Sequence, residues 1–133
     1  MPIGSNDIVM LSRRDAAGIG TLAATQLAGT TANTANVTQL TSRTTGVTLN
    51  SPVGTITLLN VANSQTDASF TLTNSSIEVG DVVLVTQRSG TDPQRIAVTA
   101  TAAGSCRITC AAISGITAEA PVFNFAVVKA TII

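Results

Sequence analysis

The feature that most constrains this chain is a series of short alternating segments, separated by turn-forming residues, that begins near Asn36. The chain of 133 residues contains 22 Thr, 13 Val and 11 Ile, which favour pleated, half-buried strands. Successive side chains of a strand point to opposite faces, so residues 55–59 place Ile56 and Leu58 together. About eight such segments predict an all-β fold, a single β-sandwich or jelly-roll-like domain.

The chain changes character at about residue 35. Residues 16–35 are mostly Ala, Gly, Thr and Asn, with few large side chains. Such a segment buries too little apolar area to fold alone. The sequence therefore predicts an extended N-terminal arm at residues 1–35 and one β-sandwich domain at residues 36–133. A chain of 133 residues is also the usual size of a single domain.

The arm contains five residues suited to binding a partner. Ile8, Met10 and Leu11 offer apolar side chains for burial, and Arg13 and Arg14 offer guanidinium groups for bidentate pairing with carboxylates. An arm of this kind becomes ordered when it docks on a partner or on a neighbouring copy. We therefore predict that these five residues contact a partner.

Few residue types in the chain can support catalysis. There is no His, Tyr or Trp, and seven basic residues are balanced by seven acidic ones. Without His, a Ser-His-Asp triad or a Cys-His pair cannot form, and the sequence has no Gly-x-Ser-x-Gly elbow or Gly-rich phosphate loop. We expect a protein that is not an enzyme and that uses no cofactor or metal.

The charge of the chain is low and balanced. Charged residues make up 11% of the sequence, and the formal net charge at pH 7 is +0. A nucleic-acid-binding protein needs clustered Lys and Arg, and a transmembrane helix needs about 20 apolar residues in one run, so we expect neither nucleic acid nor a membrane as a partner. A weakly charged surface repels its own copies weakly, which favours association into a homo-oligomer, a dimer or a trimer.

The two cysteines lie on one face of a predicted strand. Cys106 and Cys110 are four residues apart, so their Cα atoms would be about 13 Å apart, whereas a disulfide requires less than about 7 Å. Without His, two thiols are also too few for a zinc site. The sequence predicts buried, reduced thiols, which suits a reducing cytosol.

The strand before residues 102–104 and the strand after them are expected to form a hairpin. Ile96, Val98 and Ala100 share one face of the first strand, and the cysteine strand follows. The connection ends in Gly104, the residue type that most readily adopts a positive φ. We therefore predict that Gly104 has a positive φ in this turn.

The segment from Asp81 to Gln87 is apolar on both faces. A strand of this kind is either central in a sheet that is buried on both sides or packed against another subunit. Both alternatives stay open at this point, and each requires something to cover the strand.

Three acidic residues lie close together in the sequence. Glu78, Asp81 and Asp92 raise the question of a Ca²⁺ or acid–base site, but we expect solvated loop carboxylates. Lys129, the single Lys, is similarly predicted to be a solvated charge that protects a strand end from unwanted pairing. The alternative is an isopeptide cross-link from Lys129 to a nearby acid such as Glu119.

The most distinctive run of the chain is Thr44-Thr45-Gly46-Val47-Thr48-Leu49, and it belongs to a series of segments with a definite order and spacing: residues 38–50, 54–58, 70–75, 81–85, 103–105 and 122–130. Through these segments, residues 37–131 resemble a module of tailed-bacteriophage and prophage virion proteins. The resemblance implies a small β-sandwich structural protein of the phage virion.

A free-standing chain of this length, with a β-body and a docking arm, most resembles a capsid cement or decoration protein. The resemblance implies that it binds the major capsid protein on the outer capsid surface of the virion and is assembled in the bacterial cytoplasm. The alternative is a head- or tail-fibre module that binds the host surface. Such a module commonly uses exposed aromatic residues to stack on sugars, and this chain has no Tyr or Trp.

Overall fold

The computed structural model describes residues 35–130, which form ten strands and no helix. The strands, in chain order, are β1 Asn36–Thr38, β2 Val47–Thr48, β3 Val53–Thr57, β4 Val61–Ala62, β5 Ala68–Thr73, β6 Val82–Ser89, β7 Gln94–Ala102, β8 Ser105–Ala112, β9 Ala118–Glu119 and β10 Val122–Val128. The predicted all-β fold is confirmed. The predicted arm at residues 1–35 lies, except for Ala35, outside the described residues.

The strands form two four-stranded sheets and a short ribbon. Sheet A has the order β1-β3-β10-β6, and sheet B has the order β2-β5-β8-β7. In each sheet the first pair is parallel and the other two are antiparallel. Strands β4 and β9 pair antiparallel as the ribbon. Consecutive strands β6 and β7 are therefore edge strands of different sheets.

One apolar core lies between the two sheets. Alternate side chains of each strand point inward, because neighbouring side chains in a strand face opposite sides. The buried residues are Val47, Ile56, Leu58, Phe70, Leu72, Ile77, Val83, Cys106, Ile108, Cys110, Phe123 and Phe125. Both sheets contribute to this set, which is the arrangement of a β-sandwich.

The hairpin between β7 and β8 has the predicted turn, but β7 contains an irregularity. Gly104 has a φ of 82°, as expected. The register of β7 against β8 shifts between Val98 and Ala100, so that Thr101 lies opposite the buried Cys106. Ala100 is exposed, and the prediction that it shares the inward face of Val98 is wrong, because the extra residue reverses the alternation.

Within residues 35–130, no helix is long and apolar enough to cross a membrane.

Candidate interaction surface

The predicted partner contacts lie outside the part of the chain that the structure describes. These are Ile8, Met10, Leu11, Arg13 and Arg14. Their role stays a prediction, and the candidate site within residues 35–130 has to be built from other side chains.

The most extensive polar contacts of the body are made by Arg43, which follows β1. Its Nε donates to the carbonyl oxygen of Leu59 at 2.7 Å. Its Nη2 donates to the carbonyl oxygens of Val61 at 3.0 Å and Glu119 at 2.9 Å. Its Nη1 donates to Oδ1 of Asn63 at 3.1 Å. This guanidinium therefore joins the β1–β2 loop to the chain around both strands of the ribbon.

Asn63 continues this network to two carboxylates. Its Nδ2 donates to Oδ2 of Asp92 at 2.9 Å and to Oε2 of Glu119 at 2.7 Å. The Thr117 backbone N–H and hydroxyl donate to Asp92, and the backbone N–H groups of Thr91 and Asp92 donate to Glu119. These donors are uncharged, and each of them stabilises the ionised form of the Asp92 or Glu119 carboxylate.

The pKa values of both carboxyls are lowered by these hydrogen bonds. For Asp92 the largest cause is the bond from the Asn63 amide, followed in the same direction by the bonds from Thr117. For Glu119 the largest cause is the backbone N–H of Asp92, with that of Thr91 next. Asp92 is buried, and the prediction that it is a solvated loop acid is wrong, because the Asn63 amide and the backbone N–H and hydroxyl of Thr117 replace water around its carboxylate.

A second ionic contact joins Asp81 to Lys129. The Lys129 Nζ donates to Oδ2 of Asp81 at 2.6 Å and to the carbonyl oxygen of Ser76 at 2.8 Å. The backbone N–H groups of Glu78 and Ala130 also donate to Asp81, whose pKa is lowered chiefly by the Lys129 hydrogen bond. Asp81 is buried, so the prediction of a solvated Asp81 is wrong. Lys129 is exposed, as predicted, but it pairs with Asp81 and follows β10, an inner strand of sheet A, so the prediction that it protects an edge is wrong.

The prediction of solvated acids holds for Glu78, whose side chain is largely exposed. Lys129 pairs with Asp81 and not with Glu119, which belongs to the Arg43 network. Glu119, the acid named for a cross-link to Lys129, is therefore bonded to Asn63 instead, and Asp81, one of the acids named for an acid–base site, is paired with Lys129.

The thiols have the predicted environment. Cys106 and Cys110 are free and buried. Burial raises the pKa of the Cys106 thiol to about 11 and also raises that of Cys110. Because the thiolate is the nucleophile, such thiols are unreactive at neutral pH. In residues 35–130, no group of three or more His, Cys, Asp or Glu side chains is placed to hold a metal ion.

The outer face of sheet A is uncharged except for Arg88, next to the last residue of β6. On β6 it presents Val82, Leu84 and Thr86, which lie opposite Val128, Ala126 and Asn124 of β10. Strands β3 and β1 continue the face with Val53, Thr55, Thr57, Asn36 and Thr38. Leu84 is 54% exposed and Val82 is 51% exposed. By contrast, the outer face of sheet B carries Arg95 and Arg107.

Strand β6 is the edge of sheet A, and among the described residues it pairs on one side only, with β10. An open groove of about 390 Å³ separates it from β7 and is lined by Val83, Val85, Ile96 and Val98 together with Asp81, Val82, Leu84 and Thr101. The alternative in which residues 81–87 form a central strand is therefore wrong. The alternative in which another subunit covers the strand stays a prediction.

We define the β6 surface as the outward face formed by Val82, Leu84, Ala126 and Val128, beside the edge of β6 that pairs with no other described strand. Sequence patterning identified β6 as apolar on both faces, but not its place at an edge. The roles of Arg43 and Asn63 were missed altogether, because neither stands in a recognisable motif and their partners are far away in the sequence.

Comparisons of this chain with protein families, curated proteins and solved structures find no match.

Proposed function

We propose that this protein is a tailed-bacteriophage capsid cement or decoration protein that binds the major capsid protein on the outer surface of the head and stabilises the capsid. The observation that carries the proposal is the β6 surface, an uncharged and apolar face at the edge of the body. Each Å² of apolar surface that binding removes from water contributes roughly 25 cal/mol of favourable free energy. Such a face is suited to packing against protein.

The use of the charged residues supports the same role. Arg43, Asp81, Asp92, Glu119 and Lys129 hold segments of the fold together. Each of these five side chains is bonded to other residues of the body. Function then depends on surfaces, which is what an assembly protein requires.

The resemblance of residues 37–131 to virion modules directs the proposal to the phage capsid. On a capsid lattice, many copies bind at once, and weak contacts add up through symmetry and multivalency. The partners are the major capsid protein and further copies of this chain. The location is the outer capsid surface of the virion, after assembly in the bacterial cytoplasm.

The first test is the copy number of this chain in purified virions, measured against the major capsid protein by quantitative mass spectrometry. One copy per capsid subunit, or a simple fraction of that ratio, is the expected result. A handful of copies per particle would overturn the cement proposal and would indicate a fibre or tail component that binds the host.

A second test addresses the predicted arm. Deleting residues 1–35 is expected to abolish or sharply weaken binding to capsids that lack this protein, while circular dichroism still reports a folded β-body. The control is the full chain with Leu40→Lys, a change at a residue that is 82% exposed and outside both proposed contact regions. Unchanged occupancy of the truncated chain would contradict a role of the arm in capsid binding.

A further inference from the structure

The four edge strands of the two sheets differ in how they discourage pairing with another chain. Natural proteins protect edges by shortness, charge, Pro or a β-bulge. Strands β1 and β2 are three and two residues long. Strand β7 carries Arg95 and has an irregular register between Val98 and Ala100. Each of these three edges therefore has a recognised form of protection.

Strand β6 lacks comparable protection over most of its length. It is eight residues long, and its one charged residue, Arg88, lies next to its last residue, so that Val82–Gln87 contains no charge and no Pro. Its outer side chains Val82 and Leu84 are exposed, and Val83 and Val85 line the groove on its other face. A long, apolar edge of this kind, which pairs with no strand of residues 35–130, is a template for another strand.

The charge and symmetry of β6 identify the strand that fits it. The chain has a formal net charge of +0, so two copies approach without net repulsion. Side chains of a strand alternate between the two faces of its sheet. Two β6 strands therefore place their outward side chains on the same face only if even-numbered residues pair with even-numbered residues and odd with odd. An antiparallel pairing of β6 with itself meets this condition when it is centred on Leu84.

We propose that β6 is the interface of a twofold homodimer, in which the β6 strands of two copies pair antiparallel with Leu84 opposite the Leu84 of the second copy. In this register Val83 lies opposite Val85, and Val82 lies opposite Thr86. Every pair among these residues is uncharged, and Arg88 falls outside them. The two copies of sheet A become one eight-stranded sheet, and the β6 surface continues across the twofold axis.

The dimer rests on the proposed function, in which this chain binds further copies of itself. It adds the surface that the copies share and selects a dimer over a trimer. Its test uses the full chain alone in solution, without capsids. A failed dimer would therefore leave capsid binding untouched, and failed capsid binding would leave the dimer untouched.

The first experiment is analytical ultracentrifugation of the full chain and of two variants over a concentration series. Leu84→Lys introduces a charge that would face its own copy across the twofold axis, so the variant is expected to be monomeric while the unmodified chain is dimeric. The matched control Leu40→Lys is expected to stay dimeric. A monomeric or trimeric unmodified chain, or a dimeric Leu84→Lys variant, would overturn the proposal.

The second experiment tests the register and does not depend on a disruptive change. Directly opposed residues in an antiparallel pair have Cα atoms about 4.5–5.5 Å apart, a distance that a disulfide spans. Under oxidation, Leu84→Cys is expected to form a covalent dimer on a non-reducing gel, and Leu40→Cys is expected to remain largely uncross-linked. Equal cross-linking of the two variants, or none in either, would count against pairing centred on Leu84.

Discussion

At the scale of single residues, Arg43 and Arg95 show how differently two arginines are used. Arg43 donates hydrogen bonds to four residues, three of them through backbone carbonyls. Arg95 forms an ion pair with Asp67 in which both side chains are largely exposed. The planar guanidinium of Arg43 satisfies several acceptors at fixed angles, which a Lys ammonium cannot reproduce.

We expect Arg43→Lys to lower the free energy of unfolding by about 2 kcal/mol, because several hydrogen bonds to carbonyl groups are lost. The control, Arg95→Lys, is expected to change it by less than about 0.5 kcal/mol, since exposed ion pairs contribute little. Urea denaturation followed by circular dichroism measures both values. Equal losses in the two variants would show that the Arg43 bonds do not hold the loops together.

At the scale of elements, sequence patterning located the longer strands and missed two of the three strands that contain only two residues. The two missed strands are β4 and β9, and neither lies in an alternating segment of the sequence. Two residues carry no detectable alternation. One backbone carbonyl of each strand, that of Val61 or Glu119, accepts a hydrogen bond from the Arg43 guanidinium, which is distant from β9 in the sequence.

The hairpin between β7 and β8 allows a test of one turn residue. Gly104 has a φ of 82°, and a Cβ added there would meet nothing within 4 Å, so any cost is conformational and not steric. We expect Gly104→Ala to lower the free energy of unfolding by about 1 kcal/mol and Gly104→Asn to lower it by less, because Asn tolerates the left-handed region better. Urea denaturation would detect the difference, and an Ala variant as stable as the unmodified protein would refute it.

At the scale of the whole molecule, three carboxyls give the fold a dependence on acid. Hydrogen bonds lower the folded-state pKa values of Asp81, Asp92 and Glu119 below those of the unfolded chain. A lowered pKa means that the unfolded chain binds protons more readily. The stabilisation is therefore present above the unfolded values of about 4 and is lost as the pH falls through the folded ones.

We expect the free energy of unfolding to decline as the pH is lowered below about 5. Asp92→Asn removes one of the three titrating groups, so its decline is expected to be shallower, although the variant is less stable at neutral pH because Asn accepts fewer of the Thr117 hydrogen bonds. Urea denaturation at a series of pH values measures both slopes. Identical slopes would show that Asp92 does not contribute to the acid dependence.

The sequence by itself determined the all-β class, the positions of the longer strands, the buried thiols and the turn at Gly104. These features depend on local alternation and on backbone preference, which neighbouring residues set. The tertiary structure alone decided that β6 lies at an edge, that Asp81 and Asp92 are buried, and that Arg43 joins distant loops. Those outcomes depend on strand order and on contacts between residues far apart in the sequence, and a linear pattern specifies neither.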